Sequence, residues 1–397
     1  GPGSKTRAED AAPPLEAAEA EAAAARPGEE AGREAEAGAV GQGGLSASPE
    51  AGPAGAGAED GAAVEVAALP GAGTAVGPLP VTAEVAMEEA QLRQPVGLLF
   101  HSAVRKGMLT KVAGLPAVRA MLSKADEILD FNVLALCTNG PVSKLKEPRY
   151  SAPAAFIAGL AGLEKLRTEH ADAAARFQAA AGFGVSGELP ALCAAGVLTF
   201  EDGLRLAQAM GEAAQAASLR RKQCTLSVVG LHKSCLSDLC VQAAEKGGIA
   251  MISADFHPTG FLCAGTEAAM LALKNLADKA GAITAKENTA AYNSPLMFPA
   301  REQLTNVFDD LMPRMSPPKH VVYMCTTATP VGANTPVRHI VETLKRDLTS
   351  PVLWHPLVTA MIRDGVTTFY GLGSRSPEHF MKNIDKNAAK SMKTVLL

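Results

Sequence analysis

Three stretches of this chain carry side chains that could do chemistry. Residues 182–188 read Gly-Phe-Gly-Val-Ser-Gly-Glu, with Ser186 and Gly187 at an expected strand-to-helix turn. Residues 293–300 read Asn-Ser-Pro-Leu-Met-Phe-Pro-Ala and supply a second hydroxyl, Ser294. His101 stands just after the apolar run Pro95–Phe100. A serine hydroxyl, a base and backbone donors are the parts that move an acyl group through a serine ester. Each residue also has a plainer reading. Ser186 would cap a helix or fill a tight turn, Ser294 would be a structural hydroxyl, and His101 a hydrogen-bonded loop residue. His232, His257 and His355 stand no higher. A basic run, Arg220-Arg221-Lys222, could meet phosphates of a carrier-protein arm or of RNA; at a helix C-terminus it also simply compensates the dipole. The seven cysteines form no Cys-x-x-Cys and sit mostly in apolar runs. We read them as buried free thiols and expect no metal and no cofactor.

Those residues need elements to hold them. A strand is expected over Phe177–Phe183 and a helix over Ser186–Ala194. Phe200–Ala217 reads as a strong helix with Thr199 as its N-cap and Glu201 and Asp202 in its first turn. Further strands are expected at Pro95–Phe100, His320–Cys325 and Thr367–Gly371. Further helices are expected at Ala117–Asp130, Tyr150–Glu169, Glu302–Leu311, Thr335–Leu348 and Val358–Asp364. Between them, residues 224–286 follow the order strand, helix, strand, strand, helix, strand. That order is the split βαβ, ferredoxin-like unit.

Composition divides the chain. Residues 1–93 are mostly Ala, Gly, Glu and Pro, contain no Phe, Tyr, Trp or Cys, and carry 16 acidic against 5 basic residues. Such a segment buries too little apolar area to offset its ordering entropy, and we expect disorder, with a transient helix at Leu15–Ala25. Gly1-Pro2-Gly3-Ser4 reads as a protease scar left from expression, which leaves room for an upstream targeting peptide. The remainder has net charge +7 against −11 for the tail. A basic body suits an anionic partner such as a CoA phosphate, an acidic carrier protein or RNA. No apolar run reaches the roughly 18 residues that a membrane-spanning helix needs.

The stretch 182–212 resembles the nucleophile segment of the malonyl-CoA:acyl-carrier-protein transacylase family. There the pattern is Gly-His-Ser-Leu-Gly-Glu, a helix, Ala-Ala-Gly, Phe-Glu-Asp and Arg-Gly-Glu. Asn293–Ala300 is similar to the family's His-Ser-x-Leu-Met-x-Pro-Ala, and Leu348–Trp354 to its Leu-x-x-Pro-Val-x-Trp. The resemblance implies an α/β fold: a large α/β-hydrolase-like domain with a parallel sheet (94–222 and 288–397) and an inserted ferredoxin-like βαββαβ subdomain (223–287). It also implies loss of chemistry. Anchored on Gly187 and Glu188, the family's serine falls on Val185; its histidine base falls on Asn293 and its carboxylate-binding arginine on Met210. The oxyanion loop is replaced by the shorter His101–Arg105. A slip that made Ser186 the nucleophile would rotate the side chain by about 100° around the helix. The expectation is a catalytically dead fold in an organelle, a mitochondrion or alternatively a plastid. Its use would be as a structural or assembly subunit beside other proteins, an acyl carrier protein among the candidates. A divergent active transacylase and a non-catalytic acyl-CoA sensor are the alternatives.

Overall fold

The computed structural model describes residues 95–101, 104–287 and 290–397. The expected disorder of residues 1–93 lies outside them. The described chain builds two sheets. The larger contains β1 (Val96–Phe100), β2 (Phe177–Gly182), β7 (Val321–Tyr323), β8 (Pro330–Val331), β9 (Thr368–Gly373) and β10 (Lys393–Leu396), and the smaller β3 (Gln223–Val229), β4 (Ala250–His257), β5 (Gly260–Thr266) and β6 (Ile283–Lys286).

The large sheet runs in the order β10-β9-β1-β2-β7-β8. Its pairs are parallel except for the antiparallel β7–β8 edge. Central β1 reads Val-Gly-Leu-Leu-Phe and is buried at every position. A central parallel strand is covered on both faces, which is why its sequence is a continuous apolar run. Side chains alternate, so Leu98 and Phe100 enter one core layer and Leu99 enters the other.

Before β2 the chain forms α1 (Pro116–Ile128), α2 (Val133–Asn139), α3 (Val142–Leu145), α4 (Pro148–Glu169) and α5 (Ala171–Arg176). Helices α6 (Gly184–Ala194) and α7 (Phe200–Arg220) follow it. Thr199 caps α7 as expected, its hydroxyl accepting from the Asp202 amide at 3.1 Å. The long α4 and α7 pack together in the first core layer, where Ala154, Phe156, Leu206 and Met210 are buried.

The small sheet is antiparallel, in the order β4-β5-β3-β6. Helices α8 (Lys233–Gly247) and α9 (Glu267–Lys279) connect its strands. With the order strand, helix, strand, strand, helix, strand, this is the ferredoxin-like arrangement. It has its own core, from Leu226, Val228, Leu236, Phe261 and Leu273. Strand β4 ties it to the large sheet's side. The Val352 amide donates to Ser253 O at 2.9 Å, and the Asp255 amide donates to Val352 O at 3.1 Å.

The rest of the chain adds α10 (Phe298–Leu311), α11 (Val337–Asp347), α12 (Trp354–Arg363), α13 (Ser376–Ile384) and α14 (Lys386–Ser391). The helix expected over Val358–Asp364 starts four residues earlier, at Trp354. Strand β10 and helices α13 and α14 had no sequence counterpart. Among the described residues, no helix is long and apolar enough to cross a membrane.

Candidate functional site

The turn from β2 into α6 is built by close backbone approach. The Phe183 amide donates to Phe100 O at 2.9 Å, extending the ladder past the end of β2. A Cβ on Gly182 would lie 2.0 Å from the Gly187 carbonyl, and one on Gly187 would lie 2.8 Å from Phe100 O. Gly184 turns the chain with φ +60°, a conformation that glycine adopts without penalty. Sequence and spacing thus make a sharp elbow, with Val185 and Ser186 half-buried on the first turn of α6.

Val185 rests against the first core layer. Of the two plainer readings of Ser186, the cap does not hold: the N-cap position belongs to Phe183, and Ser186 is a small residue on the first turn after the elbow. Met210 is 2 % exposed within the α4–α7 core. Asn293, at φ 57°, donates through Nδ2 to Asp347 O at 2.6 Å and to Ser350 O at 3.0 Å. Ser294 is fully buried; it donates to Ala291 O at 2.6 Å and accepts from the Leu296 amide at 3.3 Å. Its hydroxyl is therefore structural in this arrangement. Arg220, Arg221 and Lys222 are exposed at the end of α7, away from the residues of the elbow in the chain.

His101 is a half-buried, hydrogen-bonded loop residue, and its ring is packed as well. Its ring stacks on Phe183 at 5.4 Å and lies 6.0 Å from Phe380. Phe183 in turn meets Phe256 at 5.2 Å and Trp354 at 5.7 Å, and Phe256 stacks on Phe380 at 4.6 Å. These rings come from the elbow, β4, α12 and α13. Together they join the small sheet to the large one beside the turn. The His101 Nδ1 pairs with Ser374 Oγ at 3.2 Å. Burial lowers the His101 pKa to about 4. The unfolded chain therefore takes up this proton near pH 6.5, whereas the folded chain resists it until pH 4. Stability contributed by the neutral ring is present above 6.5 and is lost as pH falls to 4. The expected loss is at most about 3 kcal/mol. Chemical denaturation at pH 7 and pH 4.5, run beside His101→Gln, measures it; an equal pH dependence in both chains would refute it.

One polar group escaped sequence reasoning. Glu188, Cys325 and Asp347 are all fully buried beneath the elbow, their ligand atoms within 4.8 Å of one another. Burial pushes both carboxyls up. A signal existed: Asp347 falls on the apolar stripe of α11, seven residues after Ile340 and three after Leu344, both buried.

No protein-family model matches this chain. It is 36% identical over 171 residues to the mitochondrial malonyl-CoA-acyl carrier protein transacylase of Mus musculus, covering 42% of this chain and 45% of that protein. It is 29% identical over 268 residues to a probable mitochondrial malonyl-CoA-acyl carrier protein transacylase of Drosophila melanogaster, covering 64% and 68%. The match thus spans less than half of the mouse relative's length. Among solved structures, a malonyl-transacylase in complex with its type II PKS acyl-carrier protein superposes with a TM-score of 0.68 at 22% identity. That match covers 77% of this chain and 96% of the other, and shows a shared fold. With the elbow, the parallel sheet and the ferredoxin-like insertion in place, the chain has the fold of the malonyl-CoA:acyl-carrier-protein transacylases and is similar in sequence to proteins of that name.

Proposed function

We propose that this chain is a non-catalytic member of the malonyl-CoA:acyl-carrier-protein transacylase family, serving as a structural or assembly subunit of a larger mitochondrial complex. The observation that carries the reading is the joint state of three positions. Val185 has no attacking atom and rests on the core. The Asn293 amide cannot accept a proton at neutral pH and is committed to two carbonyls. Met210 cannot pair with a carboxylate and is buried among apolar side chains. Loss of a nucleophile alone typically costs about six orders of magnitude in kcat. The mitochondrial assignment, in preference to a plastid, follows the names of the mouse and fly relatives. An acyl carrier protein is the favoured small partner, because a transacylase of this fold has been solved with one. The acidic extension against a basic body favours tethering to other subunits.

The test restores the missing groups. Val185→Ser, Asn293→His and Met210→Arg together should not raise malonyl exchange to that of an ordinary transacylase. The elbow keeps its aromatic neighbours and the oxyanion loop is still shortened. Arginine at position 210 also places a charge in an apolar core, at a cost of several kcal/mol if unpaired. The double variant Val185→Ser, Asn293→His keeps the assay meaningful if the triple one does not fold. Exchange at the ordinary rate in either variant would show that the cleft has stayed competent and that only side chains were lost; exchange by the unaltered chain would contradict the proposal.

A further inference from the structure

Beneath the elbow, each buried carboxylate has one oxygen held by a donor from outside the group and one turned into it. Glu188 Oε1 accepts from the Cys325 amide at 2.6 Å. Asp347 Oδ1 accepts from the Thr326 hydroxyl at 2.8 Å. Glu188 Oε2 and Asp347 Oδ2 are fully buried, and no donor from outside the group reaches them; their carboxyl groups face each other, and the Cys325 thiol reaches Glu188. The third member of the group is the Cys325 thiol, also fully buried, whose sulfur accepts from the Gly184 amide. Three potential anions from α6, the segment after β7 and the end of α11 therefore converge on one small volume.

Buried charge of this kind is costly unless it is neutralised by a cation or by protons. Either a metal ion or a set of protons must sit there. The arrangement favours the metal. One oxygen of each carboxylate is fixed by a hydrogen bond, which orients the other, as outer partners do for metal ligands. A thiolate with two carboxylates is a ligand set that suits zinc, whose bonds to sulfur and oxygen are about 2.0–2.3 Å. Ligand atoms within 4.8 Å of one another need only small adjustments to reach such distances. We propose that Glu188, Cys325 and Asp347 bind one divalent metal ion of the zinc class beneath the elbow. The ion closes a cross-link between α6, β7's continuation and α11, and is taken up on folding because its ligands are enclosed. Its role is structural, since all three ligands are buried.

The test uses the full chain expressed in zinc-supplemented medium. Zinc is counted per chain by plasma mass spectrometry after desalting. One zinc per chain is expected, with a fall in Tm on chelation and recovery on adding zinc. Refolding of the unaltered chain with Co2+ should give a thiolate-to-cobalt charge-transfer band. Cys325→Ser, which changes volume little, should abolish that band and leave less than a tenth of the zinc. Asp347→Asn should weaken zinc retention at least tenfold. If those variants do not fold, the cobalt spectrum and zinc count of the unaltered chain decide. A folded chain without zinc and without the cobalt band would overturn the proposal, leaving a proton shared between Glu188 and Asp347. One zinc that survives Cys325→Ser would overturn it equally.

Discussion

Replacing Gly182 by alanine should destabilise the fold by about 3 kcal/mol or more, because a backbone must move to admit the methyl group. The new Cβ would lie 2.0 Å from the carbonyl carbon and oxygen of Gly187 and 2.2 Å from the Glu188 amide nitrogen. No rotamer change relieves a clash with main chain. Gly184 gives the control. Its Cβ would meet nothing within 4 Å, but its φ is +60°. Gly184→Ala should therefore cost only the conformational penalty, about 1–2 kcal/mol. Urea denaturation of the two variants separates steric closure from backbone strain. Equal losses would show that the elbow is not held by the approach of Gly182 to Gly187.

Phe256→Ala should cost about 3–5 kcal/mol, the usual range for emptying a buried aromatic site. Phe256 is 3 % exposed and lies between Phe183 and Phe380. It is the β4 side chain that joins the elbow's aromatic group, and Ala254 beside it enters the same core layer. Phe256→Leu keeps much of the volume and should cost less than about 1.5 kcal/mol. Thermal and urea unfolding with two probes would check the pair. A Phe256→Ala chain as stable as the parent would mean that the ring group does not tie the small sheet to the large one.

Much of this fold is legible before any coordinate is seen, for physical reasons. β1 is a continuous apolar run because parallel strands are covered on both faces. The α7 start is marked by Thr199 followed by two acids, and the cap hydrogen bond forms there. The elbow is marked by glycines five residues apart, at 182 and 187. What is not legible is anything that depends on distant side chains meeting. Phe183, Phe256, Trp354 and Phe380 lie on four separate elements, and no local periodicity brings them together. For the same reason the sequence shows His101 as a hydrogen-bonded loop residue but not the packing of its ring on two phenylalanines. Glu188 served only as an anchor for register; its pairing with Asp347, 159 residues on, emerges from the fold. The terminal elements from Ser376 onward were missed because they are short, nine residues at most.

The measurement closest to the central claim is direct acylation. The purified chain is incubated with labelled malonyl-CoA, with and without an acyl carrier protein, and the protein is examined by intact mass and peptide mapping. On the proposed reading, which puts Val185 in the nucleophile position and Asn293 in that of the base, no covalent malonyl-protein and no transfer to the carrier should appear. A stoichiometric, hydroxylamine-sensitive malonyl ester on Ser186, with transfer to the carrier protein, would contradict the account.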